Sequence, residues 1–304
     1  MNFTLVALFA GATWIALSPI WVRLADVGPT ASAFWRVALA VPLLWVLHAT
    51  VSRRASATPS PRAHRGYLAA AGVAFAGDLA FWHWSIQYTS VANSTLLANL
   101  ATIFVTLAAW LLWKQRPTRL FLAGLTAALI GVAMLVQTSH AFSPTALLGD
   151  ALGVVTAMFY AWYLLSVKEI RDRGVATLQL MAVTTTITAA LLLPGALASA
   201  HQSGESMLPQ SLNGWLVLLG LAWVSHSAGQ GLIAYALAHL PAAFSSVSLL
   251  FQPVMAGVFA WLLLGEPLVA LQVARRRGRA GGDLACPARF PIAHPHPLGS
   301  RGEP

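Results

Sequence analysis

The stretch Asn93–Trp113, NSTLLANLATIFVTLAAWLLW, decides the fold. It carries no charge and shows no polar/apolar alternation of the kind a barrel strand needs. A helix rises about 1.5 Å per residue, so about 20 mainly apolar residues cross about 30 Å of hydrocarbon. The stretch ends in Lys114-Gln115-Arg116-Pro117, a charged turn. It reads as one membrane crossing.

Working outward, eight more segments of this kind follow the same logic, at about 3–22, 30–50, 66–86, 119–137, 148–168, 177–198, 214–238 and 242–264. Turn chemistry or charge separates them, as at Asp26-Val27-Gly28-Pro29, Arg171-Asp172-Arg173-Gly174 and Gly265-Glu266-Pro267. Glycine and proline inside the segments are tolerated in membrane helices. The composition agrees. Of 304 residues, 58% are apolar and 9% charged, with mean hydropathy +0.69. That is far below the charged share of an ordinary soluble domain, about 25%, so a water-soluble enzyme is excluded. Disorder over most of the length is excluded by the apolar content. A disulfide scaffold needs two cysteines, and the chain has one, Cys286. The first segment lacks a basic leader region, so it reads as a retained helix rather than a signal peptide.

The net charge of +9 invites a nucleic-acid reading until the basic residues are located. Arg53, Arg54, Arg62 and Arg65 follow the second segment, Lys114, Arg116 and Arg119 the fourth, and Lys168, Arg171 and Arg173 the sixth. The intervening loops hold Arg23 alone, a bias of ten to one. Under the positive-inside rule these loops and the N-terminus are cytoplasmic, the expected setting is a bacterial inner membrane, and the basic charge needs no nucleic acid. The lipid bilayer is the expected environment.

After Val273 the composition changes to Arg275-Arg276-Arg277-Gly278-Arg279 and then to Gly, Pro, Ala and His through Pro304. Nine crossings from a cytoplasmic start would put these arginines outside, against the bias of every other loop. Two readings stand side by side: a genuine unstructured tail over 274–304, or a frameshift that replaced a tenth helix.

The run Ala109-Trp110-Leu111-Leu112 recurs, at a fixed offset, as Ala260-Trp261-Leu262-Leu263. The same offset aligns Ala92 with Ala243, Ser94 with Ser245 and the turn at Lys114 with that at Gly265. About five crossings separate equivalent positions, and an odd number inverts the second half. Inverted repeats are the signature of many transporters, with a site near the midplane between halves. The expected organisation is a first five-helix repeat over 1–137, a second over 148–273 with four helices, and the tail. The fold class expected is therefore an all-α polytopic membrane protein of two inverted repeats.

On these residues the chain resembles a known family. Tyr88-Thr89-Ser90-Val91-Ala92-Asn93-Ser94-Thr95-Leu96-Leu97 is similar to the signature that opens the fourth helix of EamA-type transporters, in the drug/metabolite transporter superfamily. So are the Gly265-Glu266-Pro267-Leu268 turn after Ala-Trp-Leu-Leu and Pro29 followed by Arg36. The resemblance covers about residues 3–273. It implies ten helices in two inverted halves, both termini cytoplasmic, and export of small metabolites. The chain departs from that pattern at Thr102, where the family often has proline, at Lys114-Gln115 in place of Gly-Glu, and in the tenth helix.

An ionisable residue at membrane depth is costly and by default marks a site or a pair. Arg36 lies about six residues below the outer end of its helix and Asp78 about nine, roughly 9 and 13 Å deep at about 1.5 Å per residue. They are candidates for a structural bridge or for a pair linked to substrate and protons. His83, between Trp82 and Trp84, is about 140° around the helix from Asp78 and shares no face with it. It reads either as an interfacial histidine or as a substrate contact. His226 and Gln230 share a face on the eighth helix, and Gln230 nearly coincides with Asp78 under the duplication. They read as helix glue or as pocket lining. Asp78 and His226 are the candidates for proton coupling. Trp14, Asn99, Tyr160 and Gln252 complete the candidate substrate-binding set, each with packing as the plainer reading. Gln252 precedes Pro253, which frees a carbonyl one turn back.

No His-Glu-x-x-His, Gly-x-Ser-x-Gly, phosphate loop or cysteine pair is present. No metal and no cofactor is expected, and catalysis is not. The expected function is a carrier for a small organic metabolite, an exporter by resemblance, working by alternating access. A second copy of the chain is an admissible partner. The alternatives are a truncated, inactive transporter remnant and a lipid-acting membrane enzyme.

Overall fold

The computed structural model describes residues 2–52, 64–89, 91–114, 116–135, 144–204 and 206–265. All lie within the unit Met1–Glu266. The segment 274–304 and the arginines at 53, 54 and 62 fall outside the described residues. Among those described there is no strand, and the helices group into nine spans. Their bounds are Asn2–Ala16 with Ser18–Leu24, Pro29–Ala38 with Ala40–Ser52, Arg65–Tyr88, Val91–Ala98 with Ala101–Trp113, Arg119–Leu135, Pro144–Asp172, Thr177–Ser203, Leu212–Leu237, and Ala242–Ser248 with Phe251–Leu264. Seven are long and apolar enough to cross a membrane. The third is made more polar by Asp78, His83, Ser85 and Gln87, and the fifth is short.

The expected spans agree with these bounds to within a few residues, except that the sixth begins at Pro144 and runs on to Asp172 rather than covering 148–168, and the seventh runs on to Ser203 rather than stopping near 198. Lys168 bonds Asp172 at 2.6 Å and Arg173 bonds Glu169 at 2.6 Å, both four residues apart. Charges that pair along a helix face keep the helix going past the apolar stretch. Arg173 donates to the Glu169 carboxylate, and that bond raises its pKa above arginine's ordinary value.

Several spans are broken, and the breaks have local causes. Pro19 sits in the first turn after the break at Leu17, where it can start a helix but not continue one. In the ninth span Pro253 cannot donate to the carbonyl of Leu249, which accepts from the Gln252 N–H at 2.9 Å instead. The fourth span breaks at Asn99-Leu100, within one residue of the position equivalent to the break at Leu249-Leu250 in the ninth, yet has Thr102 where the ninth has Pro253. Thr102 Oγ1 donates to the Asn99 carbonyl at 2.9 Å and Asn99 Nδ2 donates to the Thr95 carbonyl at 2.7 Å. Side-chain hydroxyl and amide groups thus fill the ladder that the proline interrupts in the other half. The eighth span widens into π-type turns over Leu221–Gln230, with Ser227 Oγ donating to the Ala222 carbonyl five residues back at 2.8 Å.

The packing repeats with the halves exchanged. The first span packs on the eighth and the sixth on the third; the first packs on the ninth and the sixth on the fourth. The second and seventh pack on each other, as do the fourth and ninth. Each contact has a counterpart five spans on, and five spans invert direction. The protein is an all-α polytopic bundle built as two inverted repeats. Lipid supplies no hydrophobic drive between helices, so close approach matters. At the crossing of the first and eighth spans a Cβ on Gly11 would sit 2.8 Å from the Gly229 carbonyl oxygen. The core between spans is filled by Leu8, Phe75, Leu164 and Met181, all fully buried.

Candidate functional site

A cavity open at its mouth lies where the broken helices meet. The first span contributes Ile15, Ala16, Ser18 and Pro19, which flank its break. The second adds Arg36, the third Asp78, Leu79 and Trp82, and the fourth Thr95, Ala98 and Asn99. Tyr160 enters from the sixth, Gln230 from the eighth, and Gln252, Pro253 and Ala256 from the ninth. Both inverted repeats therefore supply the wall, in the place expected for a transporter site.

The lining is largely apolar, with polar groups at a few points. Arg36 is only 6% exposed, and its Nε has no hydrogen-bond partner in the protein. Gln230 Oε1, Gln252 Nε2, Thr95 Oγ1 and Ser18 Oγ are also buried without a partner. An unmade buried hydrogen bond costs about 1–3 kcal/mol, so five such atoms around one hollow are hard to account for as packing alone. The Tyr160 hydroxyl is near enough to the Gln252 and Gln230 amides to interact with both, but Gln252 Nε2 is not aligned on it as a regular hydrogen bond. Among the described residues the ion pairs are Lys168–Asp172 and Arg173–Glu169. Arg36 and Asp78 share the cavity without closing to that distance.

Six of the nine candidate residues come together here: Arg36, Asp78, Asn99, Tyr160, Gln230 and Gln252. Trp14, His83 and His226 do not line the cavity. Trp14 is 40% exposed at the side of the first span, while its carbonyl accepts from Ser225 Oγ at 2.8 Å. His83 is buried, donates from Nδ1 to the Leu79 carbonyl at 2.7 Å and packs edge-on against Trp82. His226 is buried against the seventh span, with Nε2 and Thr185 Oγ1 sharing a 2.9 Å hydrogen bond and its ring stacked on Phe75 at 5.3 Å.

Several lining residues were missing from the candidate set. Trp82 is four residues from Asp78 and so shares its face, a signal present in the sequence. Pro19 and Pro253 announce the breaks. Ser18 and Thr95 give no signal, because a small hydroxyl in an apolar run looks the same whether it packs or binds.

Comparison with known proteins fits this architecture. The model of the EamA-like transporter family matches the chain twice, over residues 2–137 and 147–274. An uncharacterized transporter of Archaeoglobus fulgidus is 29% identical over 254 residues, covering 81% of this chain and 83% of that protein. A protein of known crystal structure superposes with a TM-score of 0.69 at 18% identity, covering 92% of this chain and 97% of the other, a likeness of fold. Membership of the drug/metabolite transporter superfamily is consistent with the family match and the transporter relative. The paired family matches cover most of a chain whose packing repeats in two inverted halves, and the chain belongs to the EamA-like transporter family, a multi-pass membrane transporter.

Proposed function

We propose that the protein carries a small organic metabolite out of the cell across the bacterial inner membrane by alternating access, in exchange for protons. The observation that carries this reading is the cluster of unpartnered buried polar atoms around the cavity, on Arg36, Gln230, Gln252, Thr95 and Ser18. A solute with donors and acceptors would satisfy them, against the apolar faces of Trp82, Leu79 and Ile15. Asp78 is the carboxylate in that lining and the group assigned to proton exchange, with Arg36 as the cation that faces it when ionised. His226 is placed outside the wall and is assigned no direct part in coupling. The excess of basic residues in the loops after the second, fourth and sixth spans supports a cytoplasmic N-terminus.

Reconstitution into sealed vesicles tests the reading. Counterflow of a panel of radiolabelled metabolites should be faster than in protein-free vesicles for at least one member, and an outward-acid proton gradient should drive it. Correctly inserted protein that accelerates none would overturn the proposal. Transport indifferent to the proton gradient would overturn the coupling.

A further inference from the structure

The turn between the first and second spans, residues 25–28, reaches across to the second half. Asp26 Oδ2 accepts from the backbone N–H groups of Gln210 and Ser211 at 3.1 and 3.2 Å and from Ser211 Oγ at 3.0 Å. Ser211 caps the eighth span, its Oγ accepting from the Gly214 N–H at 2.9 Å. The Asp26 carboxylate occupies the space a Cβ on Gly214 would need.

The turn between the sixth and seventh spans, residues 173–176, does the same to the first half. Arg173 Nη2 donates to the Tyr67 hydroxyl at 2.9 Å, and its guanidinium lies 4.1 Å over the centre of the Tyr67 ring. The register of the two contacts matches. Tyr67 and Gly214 are each the third residue of their helix, which begin at Arg65 and Leu212. Asp26 stands three residues before the second span and Arg173 four before the seventh. One turn follows an odd-numbered span and the other an even one, so they lie on opposite faces of the bundle. The same device recurs under the inverted duplication, with a carboxylate on one face and a guanidinium on the other.

Other inter-span hydrogen bonds sort the same way. The first, second and eighth spans are joined by Trp35 Nε1 to the Met207 carbonyl at 2.7 Å just ahead of the eighth, Trp223 Nε1 to the Leu39 carbonyl at 3.1 Å, and Ser225 Oγ to the Trp14 carbonyl. The third, sixth and seventh are joined by Ser85 Oγ to the Gly149 carbonyl at 2.7 Å and Thr188 Oγ1 to the Gly72 carbonyl at 3.0 Å. Between the two sets run Trp45–Thr186 at 3.0 Å and Thr185–His226, both through the seventh span. The cavity lies between the sets.

We propose that the Asp26–Ser211 and Arg173–Tyr67 contacts are a symmetry-related pair of welds, one fixing the first, second and eighth spans as a rigid body and the other the third, sixth and seventh. Transport then moves these two composite bodies past each other, not the two sequence halves, and both welds stay closed throughout. The inference rests on the transport cycle proposed above.

The test uses a Cys286→Ser background, which removes the chain's one cysteine. Ala256→Cys in the cavity wall reports access to a membrane-impermeant thiosulfonate added to either side of oriented phosphatidylethanolamine/phosphatidylglycerol vesicles. Asp26→Cys with Ser211→Cys, or Tyr67→Cys with Arg173→Cys, is cross-linked first. Labelling from each face should stay within about twofold of the uncross-linked protein, whereas a Trp45→Cys/Thr186→Cys cross-link between bodies should slow it from one face by about tenfold or more. Tyr67 and Arg173 are well exposed, so the second weld pair gives a readout even if the Asp26 variant does not fold. A weld cross-link that shuts one face, or a cross-link between bodies that shuts neither, overturns the proposal. A reporter reached from one face alone before any cross-linking removes the alternating cycle, and the proposal with it.

Discussion

Lys114 and Gly265 are equivalent residues of the two repeats and close their helices in the same way. Both adopt the left-handed conformation, with φ of 53° and 67°. Their N–H groups bond the carbonyls of Ala109 and Ala260, which are themselves an equivalent pair. The αL position suits glycine and costs a side-chain residue about 1–2 kcal/mol. Lys114 is the one non-glycine residue with positive φ among those described. Lys114→Gly should therefore stabilise the protein by about 1 kcal/mol and Gly265→Ala destabilise it by about the same. Thermal unfolding in detergent measures both. A Lys114→Gly variant less stable than the parent would contradict the cap.

Asp78 and Gln230 face one cavity from opposite repeats. Asp78→Asn should insert normally and lower proton-driven exchange by about tenfold or more, with Asp78→Glu restoring part of it. Gln230→Leu should raise KM and leave unfolding little changed, since it removes a group that has no protein partner through Oε1. If Asp78→Asn lowers only the amount of folded protein, the carboxylate is structural.

The third and sixth spans cross with no room for a methyl group on Gly77, because the Phe159 ring fills that space. Gly77→Ala should destabilise by about 1–3 kcal/mol, the usual cost of overpacking. Phe159→Leu in the same chain should recover at least half of that loss. Unfolding of the two single variants and the double variant closes the cycle; simple additivity would mean that the two residues do not meet.

His226 loses its Thr185 partner in Thr185→Val, an isosteric change that leaves the Nε2 bond unmade. The expected cost is about 1–3 kcal/mol. Transport per folded molecule should hold, because neither residue lines the cavity. A raised KM at full stability would instead put His226 in the path of the solute.

The spans were legible because their physics is one-dimensional. A run such as Thr177–Ser203 is long and apolar whatever it packs against, and the loops that follow the second, fourth and sixth spans are marked by charge. The repeat was legible through Ala-Trp-Leu-Leu and the helix-ending turns. Side-chain direction was less so. Asp78 and Trp82 could be placed together by helical spacing, as could the separation of His83 from them. The separate fates of His226 and Gln230 could not, because they depend on π-type turns and on Thr185, a residue of another span. Thr102 illustrates the same limit. It departs from the expected proline, yet the bend is there, made by hydroxyl and amide bonds that no spacing rule reports.

The interrupted ladders at Leu17, Asn99-Leu100 and Leu249-Leu250 have a mechanical consequence. Bending an intact helix strains its backbone hydrogen bonds, but at these points the regular ladder is already given up or replaced by side chains. The fourth and ninth spans are regular on either side of their interruptions and broken at the level of the cavity. On the proposed cycle, a force applied at their ends is delivered as flexure beside the solute, with the least elastic resistance at the wall that has to change shape.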